Sequence, residues 1–270
     1  MATLLIGYDV EAQEPEITER FLKKAGEIHR ALKVPCTMFL VGKTLEKNIN
    51  GCQDLTKNEL IDFQQHTYSH MLLKTVVIET EGKIKLLKGG SLSEIEEEVR
   101  KTNELLNKYL NVECIGLSGP WGYYRGLSDR PDILEILHNS GIHFTSTYGR
   151  NEKDFQPVDF EVQPFWYGPQ GFDNILEVPS QGWQDVYLRD KYGWANLDAY
   201  LKHIKKDLDY IFEHDLVRAY CQHDWSSIRN DPDMSLTRQV IEYALEKGIK
   251  VMSYREYYYR KATKNGKAGH

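Results

Sequence analysis

The chain has 270 residues and a formal net charge of −6, from 34 basic and 40 acidic side chains. Its Lys and Arg residues are scattered, which excludes the extended basic face that nucleic-acid binding needs. No run approaches the ~20 apolar residues of a membrane span, and a chain of this length buries enough core for one α/β barrel without disulfides or structural metal.

Strand and helix signals alternate from end to end. The apolar run over residues 3–8 has no basic stretch before it and no small-residue cleavage site after it. It reads as a first buried strand, and the protein is expected in the cytoplasm. Cys36, Cys52, Cys114 and Cys221 lie far apart with no CxxC spacing, and read as reduced, buried thiols. Helix-period apolar positions follow at Ile17, Phe21, Leu22, Ala25, Ile28 and Leu32, then a strand over residues 36–41. Residues 55–63 read as a helix leading into Gln65-His66. Over residues 72–88 the pattern changes: Val76-Val77-Ile78 and Ile84-Lys85-Leu86-Leu87 flank Glu81-Gly82, a β-hairpin insertion.

Ser93 with Glu96 makes a capping box ahead of a helix whose stripe is Ile95, Val99, Leu105, Leu106 and Leu110. A strand near residues 114–117, a helix over 131–139 and strands at 143–148 and 175–178 come next. A helix at 197–214, a strand at 217–222, a helix at 236–247 and a strand at 250–254 close the pattern. About seven β-α repeats without a Pro- or Ser-rich linker predict one α/β barrel over residues 1–260. Residues 261–270 are expected to be a flexible tail.

The sharpest local signal is His66-Thr67-Tyr68-Ser69-His70. Two imidazoles four apart converge on one ion if the segment turns helically, and this pair sits where the third strand ends. The same spacing alone also suits two unrelated histidines. Asp9-Val10-Glu11 ends the first strand, where alternate residues share a face, so both acids point to the barrel mouth. Together with the histidines they supply a metal ligand and a separate general base, unless they only solvate a loop. His223 in Gln222-His223-Asp224 stands where it can protonate a leaving amine; adjacent strand side chains point apart, so Asp224 is not counted on to orient it. Gly119-Pro120-Trp121-Gly122-Tyr123-Tyr124 is a rigid aromatic turn whose N–H groups suit an oxyanion, or an ordinary turn. Tyr123, Tyr124, Trp183 and Trp225 fall in predicted loops, where aromatic faces either pack against sugar rings or cover the barrel ends.

In this order the pieces resemble the polysaccharide deacetylase family (the NodB-homology domain, carbohydrate esterase family 4) over residues 4–254. Lys33-Val34-Pro35-Cys36-Thr37-Met38-Phe39-Leu40-Val41-Gly42 resembles its second strand, and the segment from His66 to His70 its metal motif. Gly141-Ile142-His143-Phe144-Thr145-Ser146-Thr147, Leu176-Glu177-Val178-Pro179 and the histidine after Cys221-Gln222 complete the series. The resemblance implies a distorted barrel with fewer than eight strands and a divalent metal, most often zinc. It implies His66 and His70 as metal ligands, Asp9 as base, His223 as acid and the Trp121 N–H as oxyanion donor.

Two departures bear on that assignment. The family's usual pair of adjacent acids is interrupted by Val10; spacing by one residue, as in some members, makes Glu11 the third ligand. Ser118 stands where an Arg normally pairs with the catalytic Asp, so either Arg125 substitutes or Asp9 is tuned differently. The implied activity is removal of an acetyl or other acyl group from the amide nitrogen of an amino sugar or oligosaccharide. The alternative is hydrolysis of a cyclic amide or ureide, as in the allantoinase-like branch, some of whose members lack metal. A third reading is a glycan-binding barrel without catalysis. No nucleic-acid or membrane partner is expected.

Overall fold

The computed structural model describes residues 1–80 and 82–264. It begins with β1 (Thr3–Val10), a strand buried along its whole length. Then follow α1 (Pro15–Leu32), β2 (Cys36–Leu40), α2 (Gly42–Lys47), α3 (Ile49–Thr56), β3 (Ile61–Gln65) and the hairpin of β4 (Val76–Thr80) and β5 (Lys83–Leu87). Next come α4 (Leu92–Leu110), β6 (Gly116–Tyr124), α5 (Pro131–Asn139), β7 (Phe144–Arg150), β8 (Phe165–Tyr167) and β9 (Phe172–Glu177). The chain continues through α6 (Asp185–Tyr192), α7 (Leu197–Glu213), β10 (Val217–His223) and α8 (Asp224–Ile228). It ends with α9 (Ser235–Glu246), β11 (Lys250–Met252) and α10 (Tyr254–Lys264).

Alternation along β1 sorts side chains into two cores. Leu4, Ile6, Tyr8 and Val10 face outward and pack with Phe21, Leu22, Ala25 and Ile28 of α1. Leu5 faces inward, into a cluster with Phe39, Phe144, Leu176, Val178 and Ala219. Tyr254, Tyr257 and Tyr258 of α10 join that inner cluster and plug one end. Each such fully buried apolar side chain contributes ~1.5–3 kcal/mol. Close packing at the plug requires a glycine: a Cβ on Gly7 would lie 3.1 Å from the Tyr254 hydroxyl. Asp9 continues the inward row and so emerges at the other end.

Apart from the separate β4–β5 hairpin, the strands form one sheet in the order β10-β1-β2-β3-β6-β7-β9-β8, parallel except for β8, which runs antiparallel to β9. One edge of β1 is taken by β10 from Thr3 to Asp9; β2 and β11 share the other, at Gly7 to Val10 and Thr3 to Leu5. This is the mixed α/β, mostly parallel architecture expected. Among the described residues no ladder joins the two ends of the sheet. Two glutamines bridge them instead. The Gln163 amide accepts from the Val217 N–H and donates to the Val217 carbonyl, both at 2.9 Å. Gln181 accepts from the Ala219 N–H at 2.9 Å and donates to the Val162 carbonyl at 2.8 Å.

Several local expectations need correction. The helix expected over residues 55–63 stops at Thr56 as α3, and residues 61–63 already belong to β3. The capping box lies two residues earlier than Ser93–Glu96: Ser91 accepts from the Glu94 N–H, and the Glu94 carboxylate accepts from the Ser91 N–H. The last strand ends at Met252, and the expected tail begins late, because α10 runs through Lys261 to Lys264. The rest of that expected tail lies outside the described residues. The hairpin falls where the sequence placed it. No helix among the described residues is long and apolar enough to cross a membrane.

One buried group makes the outer core sensitive to acid. His29 of α1 is fully buried, with Nδ1 2.9 Å from the Val34 carbonyl and Nε2 2.9 Å from the Tyr8 hydroxyl. The carbonyl only accepts, so Nδ1 carries the hydrogen and Nε2 accepts from the tyrosine, which leaves the ring neutral. Burial holds its pKa at about 4, against 6.5 when exposed. Between those values the unfolded chain takes up a proton that the fold refuses, so stability falls as pH falls. At pH 5 the expected loss from this group is about 2 kcal/mol. Urea unfolding at pH 7 and pH 5 checks it: His29→Gln should lose less than the parent on acidification, and equal losses would refute it.

Candidate active site and metal centre

The ends of β1, β3, β6 and β10 meet at a cavity of about 190 Å³, whose lining includes Asp9, Glu11, His66, His70, Trp121, Cys221, His223 and Trp225. That is space for roughly six water molecules.

Glu11 lies just past β1, and its backbone is fixed by a neighbour on α8. The Asp224 carboxylate accepts from the N–H groups of Glu11 and Ala12, each at 3.2 Å, and from the Thr18 hydroxyl at 2.8 Å. Burial pushes the Asp224 pKa up to about 6, against the pull of those donors. On the Glu11 side chain, Oε1 accepts from the Trp225 indole N–H at 3.0 Å. Its Oε2 turns toward two imidazoles, 2.7 Å from His70 Nε2 and 3.5 Å from His66 Nε2. Oε2 is buried and completes no hydrogen bond.

The histidine motif reaches this point without a helical turn, contrary to the expected mode of convergence. Thr67 and His70 both have positive φ, 59° and 62°. The intervening loop is pinned from both sides: Gly42 and Lys43 N–H groups donate to the Thr67 and Tyr68 carbonyls, and Glu98 of α4 accepts from the Ser69 N–H and hydroxyl. His66 Nδ1 sits 2.8 Å from the Ser118 carbonyl. Since that oxygen only accepts, Nδ1 carries the hydrogen and Nε2 presents a lone pair toward Glu11. A lone pair facing a buried, unpartnered carboxylate oxygen is repulsive unless a cation lies between them. The ligand atoms of Glu11, His66 and His70 all lie within 4.8 Å of one another. Two imidazole nitrogens and one carboxylate oxygen are a donor set that fits a divalent cation.

The electrostatics agree with that geometry. Burial alone would raise the Glu11 pKa, but His223, His66 and His70 hold its carboxyl well below the usual range. Burial opposes charge on His66, while Asp9 and Glu11 draw its pKa up.

Asp9 stands beside the triad, with Oδ1 3.8 Å from His66 Nδ1 and no hydrogen bond to that oxygen. Its Oδ2 accepts from the Cys221 thiol at 3.2 Å. Arg125 is exposed in the turn after β6, so the donor against Asp9 is a neutral thiol. His223 ends β10 on the inward row. Its Nδ1 is 2.8 Å from Asp185 Oδ1, and its backbone N–H donates to Asp185 Oδ2 at 2.9 Å. The Ser226 hydroxyl holds the same carboxylate. Burial would lower the His223 pKa, but Asp185 first and Glu11 next lift it well above 6.5. Asp185, on α6, was not foreseen from sequence, and the adjacent Asp224 serves the Glu11 loop instead.

The aromatic candidates separate. Trp121 lines the cavity, 40% exposed and at φ 69°, on a bulge where the β6–β7 register shifts. Gly122 follows at φ 64°, where a Cβ would lie 2.8 Å from the Gly149 backbone. Trp225 lines the cavity, as do Gln184 and Tyr187, which no sequence signal marked. Tyr123 is buried, and its hydroxyl accepts from the Leu73 N–H at 2.8 Å. Tyr124 is exposed and packs edge-on with Tyr148 at 6.1 Å. Trp183 packs edge-on against Phe155. None of these three is among the cavity's lining residues.

Comparison with solved structures gives the same fold in several proteins. A polysaccharide deacetylase homologue from Mycobacterium smegmatis superposes with a TM-score of 0.68 at 13% identity, over 97% of this chain and 92% of its own. Puue allantoinase gives 0.69 at 11% identity, over 99% and 91%. A family 4 carbohydrate esterase from Streptomyces lividans, in complex with acetate, gives 0.55 at 11% identity, over 93% and 91%. No curated protein sequence matches. The profile of the polysaccharide deacetylase family matches residues 6–145, a segment that carries Asp9, Glu11 and both metal-motif histidines. More than half of the chain is covered by that match, and the protein therefore belongs to the polysaccharide deacetylase family of carbohydrate deacetylases.

Proposed function

We propose that this protein is a metal-dependent hydrolase that removes an acetyl or other acyl group from the amide nitrogen of an amino sugar or oligosaccharide. The observation that carries the reading is the convergence of Glu11, His66 and His70 beside Asp9 and His223 in one cavity. Glu11, His66 and His70 would hold the ion, and two imidazoles with one carboxylate favour zinc. Such an ion, when bound, polarises the acyl carbonyl and acidifies water. Asp9, with Oδ1 unpartnered, takes the proton of the attacking water. His223, steered by Asp185, donates from Nε2 to the departing nitrogen. The Trp121 N–H supplies the oxyanion donor. Trp121, Tyr187 and Trp225 offer faces to a sugar ring, while Tyr123 acts in packing. Four free, buried cysteines suit a reducing compartment such as the cytoplasm.

Elemental analysis of purified protein and acetate release from N-acetylated amino sugars test this reading. One zinc per chain and acetate formation are the expected results; protein that stays inert after zinc is added would overturn it. The small cavity also favours a second reading, opening of a cyclic amide or ureide, and the fold shared with an allantoinase accords with it. Ring opening without acetate release would select that reaction.

A further inference from the structure

The barrel has a second built cavity, at the end away from the metal centre. It measures about 210 Å³ and lies beside the first residues of β1 and β10. Six residues of β1 separate Thr3 from Asp9, about 20 Å at the rise of a strand. The two cavities share no lining residue.

Its chemistry is one-sided. Arg260, Lys261 and Lys264 of α10 line it, in a chain that is acidic as a whole. None of the three pairs with a carboxylate among the described residues. Arg260 is half-buried and its hydrogen-bond partner is the Met252 sulfur, a weak acceptor at 3.8 Å. Burial and the neighbouring charges of Lys264 and Arg260 push the Lys261 pKa down, as expected where positive charge is crowded and uncompensated. One carboxylate, Asp215, stands on the rim, exposed and paired with the amino group of Met1.

A buried tyrosine borders the same space. Tyr257 lines this cavity and is only 3% exposed, yet its hydroxyl has no hydrogen-bond partner. That oxygen is itself enclosed in the inner core, so the tyrosine serves as a wall of the cavity and not as a donor into it. Gln163, on the wall, is not that partner: both ends of its amide are used by Val217 and Phe160. What remains is a guanidinium and two ammonium groups that line one small cavity, Arg260 and Lys261 half-buried and Lys264 exposed. A phosphoryl group matches such a set, since its three oxygens accept from a planar fork and point charges together. The cavity holds roughly seven water volumes, more than a bare phosphate occupies.

We propose that this end of the barrel is a second binding site, which takes a phosphorylated small molecule on Arg260, Lys261 and Lys264. Titration calorimetry with glycerol 2-phosphate at 0.15 M NaCl tests it, with glycerol and acetate as controls. Saturable one-to-one binding of the phosphomonoester alone is expected. Arg260→Gln with Lys261→Gln should weaken it at least tenfold, and Lys264→Gln several-fold, each with an unchanged circular dichroism spectrum. Binding should persist in His70→Ala, which separates this site from the metal centre. The proposal fails if the parent protein shows no saturable binding, if acetate binds as well, or if the double substitution leaves affinity intact.

Discussion

Replacing Glu11 with alanine is expected to strip the metal from the protein and to lower kcat/KM by at least about a hundredfold, more than the 10–100-fold typical of losing an outer partner of a metal ligand. The substitution removes the only carboxylate of the triad and leaves two neutral imidazoles, too few donors for a tight divalent site. Folding should survive. Oε2 makes no hydrogen bond, and only the Trp225 indole loses an acceptor, a cost of ~1 kcal/mol. Glu11→Asp keeps the charge but shortens the reach by one methylene, so it should recover part of the metal and part of the rate. Zinc per chain and acetate release, measured over a range of added zinc, give the answer. An alanine variant that retains full metal and full turnover would show that the triad is not the metal centre.

Asp185→Asn should lower kcat/KM by about a hundredfold, the lower end of what a positioned acid contributes, and move the alkaline limb of its pH profile to lower pH. The sign follows from His223, which acts only while it carries the proton it donates. Asp185 is the foremost of the charges that lift the His223 pKa well above 6.5, so the acid form persists beyond neutrality. Without that charge the proton leaves at lower pH, and the limb follows. An asparagine that turns its NH₂ toward Nδ1 makes that nitrogen an acceptor, which further disfavours the doubly protonated ring that acts as the acid. Metal content should not change, because Asp185 touches His223 and Ser226 and none of Glu11, His66 and His70. If the limb stays in place while activity falls, His223 is not the proton donor.

The sequence showed the candidate site residues more readily than what orients them. Asp9, Glu11 and His223 end strands whose apolar runs are easy to see, and alternation alone places them at one mouth. Asp185 has no such signal: it begins a polar helix 38 residues before the histidine that it holds. The extent of β3 was hidden for a related reason, although a third strand was placed just before His66. Gln64 and Gln65 are fully buried, and the Gln64 amide oxygen accepts from the Ile115 and Gly116 N–H groups. A polar pair that serves neighbouring backbone looks like solvent-facing helix to any reading of hydropathy. The misplaced capping box is a degeneracy, since Ser91–Glu94 and Ser93–Glu96 both satisfy the pattern and only the first makes the bonds. The tyrosine-rich segment after β11 resembles strand by composition, and burial against the inner core makes it helix.

Gln163 and Gln181 give the seam of the barrel an unusual tolerance. A ladder of paired strands has a register, and slipping it by one residue turns every side chain to the opposite face. An amide that clasps a single residue has no register to lose. Insertions or deletions in the turn between β8 and β9, residues 168–171, can therefore reshape that wall of the barrel without rotating β10, and His223 keeps its aim while its surroundings diversify.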